Sequence, residues 1–171
     1  ILAKYPGIRY SFEGQGEQSR KVGESSRRVL PITLLIMFAI MVFALRSFWQ
    51  MLIIVLGIPF AIIGVGWGHW IHGVQISLFS GFGLIALIGV MVNDSLVLLT
   101  TFNGNLKEGM PFDRALREAA RSRLRPILLT TLTTVAGLMP LIFNRSFQAQ
   151  FLIPMAITVA YGLMLATFVT L

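Results

Sequence analysis

Apolar residues in this chain gather into five long runs, at about 29–45, 48–70, 76–102, 126–143 and 151–171. Short polar breaks separate them: Arg46-Ser47, the stretch from His72 to Gln75, a longer charged segment after Asn103, and Asn144-Arg145-Ser146. A run of about 17–25 apolar residues, rising 1.5 Å per residue in a helix, crosses the hydrocarbon core of a bilayer. Each run therefore predicts a transmembrane helix. Pro31 falls in the first turn of the first, where its missing N–H matters little. Gly57 and Pro59 interrupt the second, and Gly64, Gly66 and Gly68 follow, small residues that let neighbouring helices approach closely. Trp67 and Trp70 stand where an interfacial aromatic belt is expected. Asn103-Gly104-Asn105 reads as a turn. After it, Phe112, Ala115, Leu116 and Ala119 recur at helical spacing, with Arg114, Arg117, Arg121 and Arg123 around the other side. This predicts an amphipathic helix over about 111–123, starting near Pro111 and lying at the membrane surface. Residues 1–28 are the only extended polar part. Gly7 to Phe12 alternates apolar and polar, a short strand signal, and a turn and a polar helix or connector follow.

Composition agrees with a membrane chain: 56% of the residues are hydrophobic and 12% charged, about half the ~25% of soluble domains. The expected class is all-α integral membrane, with five transmembrane helices plus one amphipathic interfacial helix. There is no cysteine, so neither a disulfide framework nor thiol chemistry enters. The net charge of +7 would suggest nucleic acid in a soluble protein. Here the basic residues stand between apolar runs and read as a topology signal. Arg46 and the Lys107–Arg125 segment hold seven basic residues on one side, and the loops of the other side hold only Arg145. The basic side is expected to be cytoplasmic, which puts residues 1–28 outside; long translocated domains escape the charge rule. The sequence begins without Met and stops inside an apolar run, so it is expected to be a piece of a larger protein, with 1–28 the end of a soluble domain and 29–171 the membrane part.

No phosphate loop, Ser/His/Asp arrangement or zinc spacing is present, and an enzyme is not expected. His69 and His72 share a helix face, but with no acid or thiol beside them they read as interfacial histidines rather than a metal pair. The candidate chemistry is Asp94, the only acidic residue inside any apolar run. An ionised Asp at mid-bilayer costs roughly 2.5–3.5 kcal/mol on insertion scales, so a partner or a water path is required. Its own helix face carries Leu87, Val90, Val97 and Leu98, and polar partners must come from other helices. Thr130 and Thr134 lie four apart on one face, with Gly137 continuing the stripe. A threonine hydroxyl can donate to a carboxylate or accept from a carboxylic acid. Two readings stay open: a proton-relay acid, or a structural hydrogen-bonding residue satisfied by neighbours or by Ser95. The threonines likewise fit either a relay or interhelical packing. Arg121, Arg123 and Arg125 read most simply as topology determinants and headgroup contacts.

Four stretches carry a family resemblance: YPGIRYSFEGQGEQ, GIPFAIIGVGWGH, GLIALIGVMVNDSLVLLTTFN and ALREAARSRLRPILLTTLTTVAGLMPL. Together they resemble the C-terminal membrane half of resistance-nodulation-division (RND) transporters, in the hydrophobe/amphiphile efflux branch. The resemblance implies half of a twelve-helix fold, with the five runs as helices eight to twelve. It implies proton-motive-force-driven export of drugs or other hydrophobic or amphiphilic compounds, and hence multidrug resistance. It implies a multi-pass protein of the Gram-negative inner membrane, a homotrimer joined to the N-terminal half of the transporter, a periplasmic adaptor and an outer-membrane channel. Protons are the coupling ion, with no cofactor and no nucleic acid. The family relay uses two acids on the fourth helix, a Lys on the tenth and a Thr on the eleventh. The Lys position falls on Asn93, the next on Asp94, the Thr position on Thr130, and the Arg that begins the RLRP run on Arg123. The relay candidates are thus Asp94, Asn93 and Thr130, supported by Thr134 and Arg123. Rival readings are a structural or regulatory membrane domain, an ion channel, and an RND exporter of lipids.

Overall fold

The computed structural model describes residues 15–170. The strand expected from Gly7 to Phe12 lies outside the described residues. The chain divides into two compact units, residues 1–37 and 38–171. Helix α1 (Gln15–Leu45) supplies all the described residues of the first unit and ends in the second. Its apolar stretch, Gly23–Leu45, is long enough to cross a membrane.

In the second unit follow α2 (Phe48–His72), α3 (Leu78–Lys107), α4 (Phe112–Ile142), the short α5 (Phe147–Gln150) and α6 (Ile153–Thr170). Local chemistry sets the boundaries. Arg46 takes a positive φ of 51° in the tight turn before α2, and the Ser47 hydroxyl then accepts the Gln50 N–H at 3.4 Å as an N-cap. Gly73, in the left-handed region at φ 62°, ends α2. At the start of α3 the Ser80 hydroxyl accepts the Ser77 N–H at 3.1 Å. With α1, α2, α3, α4 and α6 all long and apolar enough, the described residues hold five candidate membrane spans.

Two boundaries differ from the sequence reading. The turn expected at Asn103-Gly104-Asn105 lies inside α3, and the chain turns instead around Gly109, at φ 85°. Tertiary partners keep these polar residues helical. Gln50 and Asn103 exchange two hydrogen bonds of 2.8 Å, and Asn105 Nδ2 donates to the Ala115 carbonyl at 3.2 Å. The amphipathic segment is helical, but it runs into the fourth span without a break, so α4 passes straight through Pro126. At 1.5 Å per residue this helix is about 46 Å long, more than a ~30 Å hydrocarbon core. Its exposed face changes character along the way: Arg114, Arg117, Arg121 and Arg125 give way to Leu128, Leu129 and Leu132. That change marks where water and headgroups end and hydrocarbon begins.

Helix α6 is the hub, packing against α2, α3 and α4. Over half of its apolar stretch is buried, 56% against 28% for α2, 22% for α3 and 17% for α4. Glycines let it come close. A Cβ on Gly64 would stand 2.6 Å from the Tyr161 carbonyl oxygen, and one on Gly162 would collide with Leu87. Ala61, Val65, Leu87, Met91, Leu163 and Ala166 fill the space between α2, α3 and α6. The outward faces carry large exposed apolar side chains such as Phe43, Leu56 and Phe168. In water these would form an aggregating patch; against lipid tails they need no cover.

The Gly64 contact is with backbone and cannot yield. Gly64→Ala is therefore expected to lower stability by about 1–3 kcal/mol, as overpacking does. Gly66→Ala meets nothing within 4 Å and should be neutral. Thermal unfolding of the intact detergent-solubilised protein distinguishes the two.

Candidate functional site

Asp94 sits on α3, half-buried, facing α4 and α6. It lines a small cavity with Met91, Ile127 from α4, and Leu163, Ala166, Thr167 and Thr170 from α6. The space open to a water's centre is about 10 Å³. Apolar side chains form most of the wall, and the polar groups are one carboxyl and two hydroxyls. On α6, Thr170 donates its hydroxyl to the Ala166 carbonyl at 2.7 Å. Thr167 is buried and pairs with buried Thr131 of α4, oxygen to oxygen at 2.7 Å, either one able to be the donor.

The remaining candidates are placed differently. Thr130 is exposed, and its hydroxyl donates to the Pro126 carbonyl of its own helix at 2.9 Å. Asn93 is also exposed. Thr134 is half-buried and does not line the Asp94 cavity. Arg123 turns to α3, where Nε and Nη2 donate to the Thr101 hydroxyl at 3.1 and 3.0 Å, while Thr101 donates to the Val97 carbonyl at 2.9 Å.

The structure thus brings Asp94 together with Thr167 and Thr170, and through Thr167 with Thr131. Sequence reasoning did not single out these three hydroxyls. A signal existed: Thr167 and Thr170 are three apart in an apolar run and share a helix face. What the residues alone could not give is which face of α4 meets α6, since Thr130 and Thr131 point about 100° apart.

The histidines also separate. His69 is 4% exposed, turned into the bundle while Trp67 and Trp70 beside it face outward. Its Nδ1–H donates to the Val65 carbonyl at 3.0 Å, which leaves Nε2 to accept from the Ser80 hydroxyl at 2.9 Å. His72 instead pairs with the Tyr161 hydroxyl at 3.0 Å. The two rings serve different partners, and no group of three or more His, Cys, Asp or Glu residues that could hold a metal ion occurs among the described residues. His69→Leu would take away the acceptor of the buried Ser80 hydroxyl's proton, at a cost of about 1–3 kcal/mol. Thermal unfolding of the intact protein should show that loss, and metal content should be unaffected.

Chemically, the Asp94 cavity can hold a proton and hand it on. The carboxyl is confined among apolar walls, and the hydroxyls beside it can accept or donate as its charge changes.

Comparison with known proteins places the chain in a family. The model of the AcrB/AcrD/AcrF family matches residues 2–171. The cobalt-zinc-cadmium resistance protein CzcA of Cupriavidus metallidurans is 32% identical over 165 residues, 96% of this chain and 16% of that protein. The cation efflux system protein CusA of Escherichia coli is 28% identical over 178 residues, 97% of this chain and 17% of that protein. A crystal structure of a heavy metal efflux pump superposes with a TM-score of 0.73 at 24% identity, covering 96% of this chain and 16% of that one. The chain thus spans about one sixth of the length of these relatives. These matches correct the sequence reading in one respect. The resemblance to the hydrophobe/amphiphile branch, with its drug export and multidrug resistance, does not stand, because these relatives are named for metal resistance and cation efflux.

Proposed function

We propose, since the chain belongs to the AcrB/AcrD/AcrF family, that it forms part of the proton-driven membrane domain of a heavy-metal cation exporter. The chain is a multi-pass segment of the inner membrane and serves transport, not catalysis. The observation that carries the proton role is Asp94, the only acid in an apolar run, set beside hydroxyls from α6. In the proposed cycle Asp94 gains and loses a proton, and its two charge states favour different packing of α6. Asn93 and Thr130, both exposed, face acids supplied by the rest of the transporter. Asn93 carries no charge, so it hydrogen-bonds those acids without neutralising them. Arg123 holds α4 to α3 at Thr101.

The cargo assignment is supported by identity over nearly the whole chain with relatives named for cobalt, zinc, cadmium and other cations. The metal is bound elsewhere in the transporter, and this segment supplies the drive. By the same kinship the working unit is a homotrimer joined to a periplasmic adaptor and an outer-membrane channel.

The test uses the intact transporter in proteoliposomes with an imposed pH gradient, and zinc, cobalt and cadmium ions as cargo. Wild type should move at least one of these ions, and Asp94→Asn should abolish movement at normal abundance and stability. Full transport by Asp94→Asn would remove Asp94 from the relay. Failure of wild type to move any of the ions would sink the cargo assignment.

A further inference from the structure

We infer that Thr167 and Thr131 are the positioning partners of Asp94, a hydroxyl pair whose proton direction reverses with the charge of the carboxyl. The inference rests on the proton role proposed for Asp94 and extends it to α6 and to a second threonine of α4. The geometry comes from three observations. Thr167 lines the same small cavity as Asp94, and that cavity has room for about one water. Thr167 and Thr131 are both buried and stand 2.7 Å apart, with neither fixed as donor. Thr170, the other hydroxyl of the cavity, already donates to the Ala166 carbonyl and offers only an acceptor.

A hydroxyl has one proton to give. When Asp94 is ionised it needs a donor, and Thr167 is the cavity hydroxyl whose proton is free to turn towards it through one water. Thr167 then accepts from Thr131. When Asp94 is protonated it becomes a donor itself, towards Thr170 or Thr167. Thr167 is released to donate to Thr131, which becomes the acceptor of the pair. Protonation on α3 is thereby registered as a reversed hydrogen bond between α4 and α6. No other titratable group lines the cavity among the described residues: Met91, Ile127, Leu163 and Ala166 complete the wall, and Arg123 is engaged by Thr101.

Infrared difference spectra of the intact transporter in lipid, recorded across a pH jump, test the pair without reference to cargo. A protonated carboxyl shows a C=O band whose frequency rises as its hydrogen bonding weakens. Wild type should show such a band, and Asp94→Asn should remove it. Thr167→Val should shift it upward, Thr131→Val should shift it downward because the Thr167 proton then turns to the carboxyl, and Thr167→Ser should restore it. A band that Asp94→Asn removes but that neither valine variant shifts would overturn the pair and leave the role of Asp94 standing. Failure of Thr167→Ser to restore the band would also overturn it, since the methyl group rather than the hydroxyl would then be responsible. The absence of any band removable by Asp94→Asn would show that Asp94 does not titrate, and both readings would fall together. If Thr167→Val does not accumulate in the membrane, Thr131→Val carries the same two outcomes alone.

Discussion

The close approach of α6 to its neighbours is the constraint on which the rest of this structure depends. Helices in lipid gain little from burying apolar side chains, because lipid tails are as apolar as leucine. What holds them is close packing and hydrogen bonding across the contact. Gly64 and Gly162 provide the first by leaving out the Cβ atoms that would strike Tyr161 and Leu87. The second follows for α2, where that separation lets His72 reach Tyr161, and Thr167 with Thr131 ties α6 to α4. A wider spacing would leave each of these groups without a partner in a medium that has none to offer.

The polar side chains of the apolar spans that form hydrogen bonds do so in one of two ways. Some bond back to their own helix, as Thr130, Thr133 and Thr158 do. Others bond across helices, as Gln50 does to Asn103, Arg123 to Thr101 and His69 to Ser80. The first group costs the membrane nothing but fixes no neighbour. The second ties α2 to α3, and α3 to α4, at defined heights. Asp94 differs from both. Its surroundings supply hydroxyls whose donor and acceptor roles can exchange, so its neighbours suit two protonation states.

The fold was legible wherever the apolar runs were long, because length and hydropathy alone decide whether a helix crosses a membrane. Asp94 was legible because a lone acid in such a run is conspicuous. Less was legible where a tertiary partner decides the outcome. Asn103 and Asn105 look like turn residues until Gln50 and the Ala115 carbonyl are known to bind them. Thr130 and Thr131 are adjacent and chemically identical, and only the position of α6 says which is buried. His69 beside two tryptophans resembles an interfacial residue until Ser80 is seen to accept it into the bundle. The branch within the family was misread for a related reason. Most of the residues that carry the resemblance lie in the apolar spans, and the demands of helix packing there are the same whatever the cargo.

The lack of charge at position 93 bears on how such a bundle could move. A fixed cation would neutralise a nearby acid in one state and turn away in the other, so that its side chain would be the moving part. Asn93 has no charge to redirect, and among the described residues no cation lines the cavity of Asp94. In the proposed cycle the response to protonation comes from neutral groups whose hydrogen bonds reverse. Those groups sit on α4 and α6, and α6 is also the helix most deeply packed among the others. A hydrogen bond re-aimed there is felt at every contact α6 makes, because a close-packed interface does not deform continuously. The hub position of α6 is therefore what would turn a single proton on α3 into a rearrangement of the bundle.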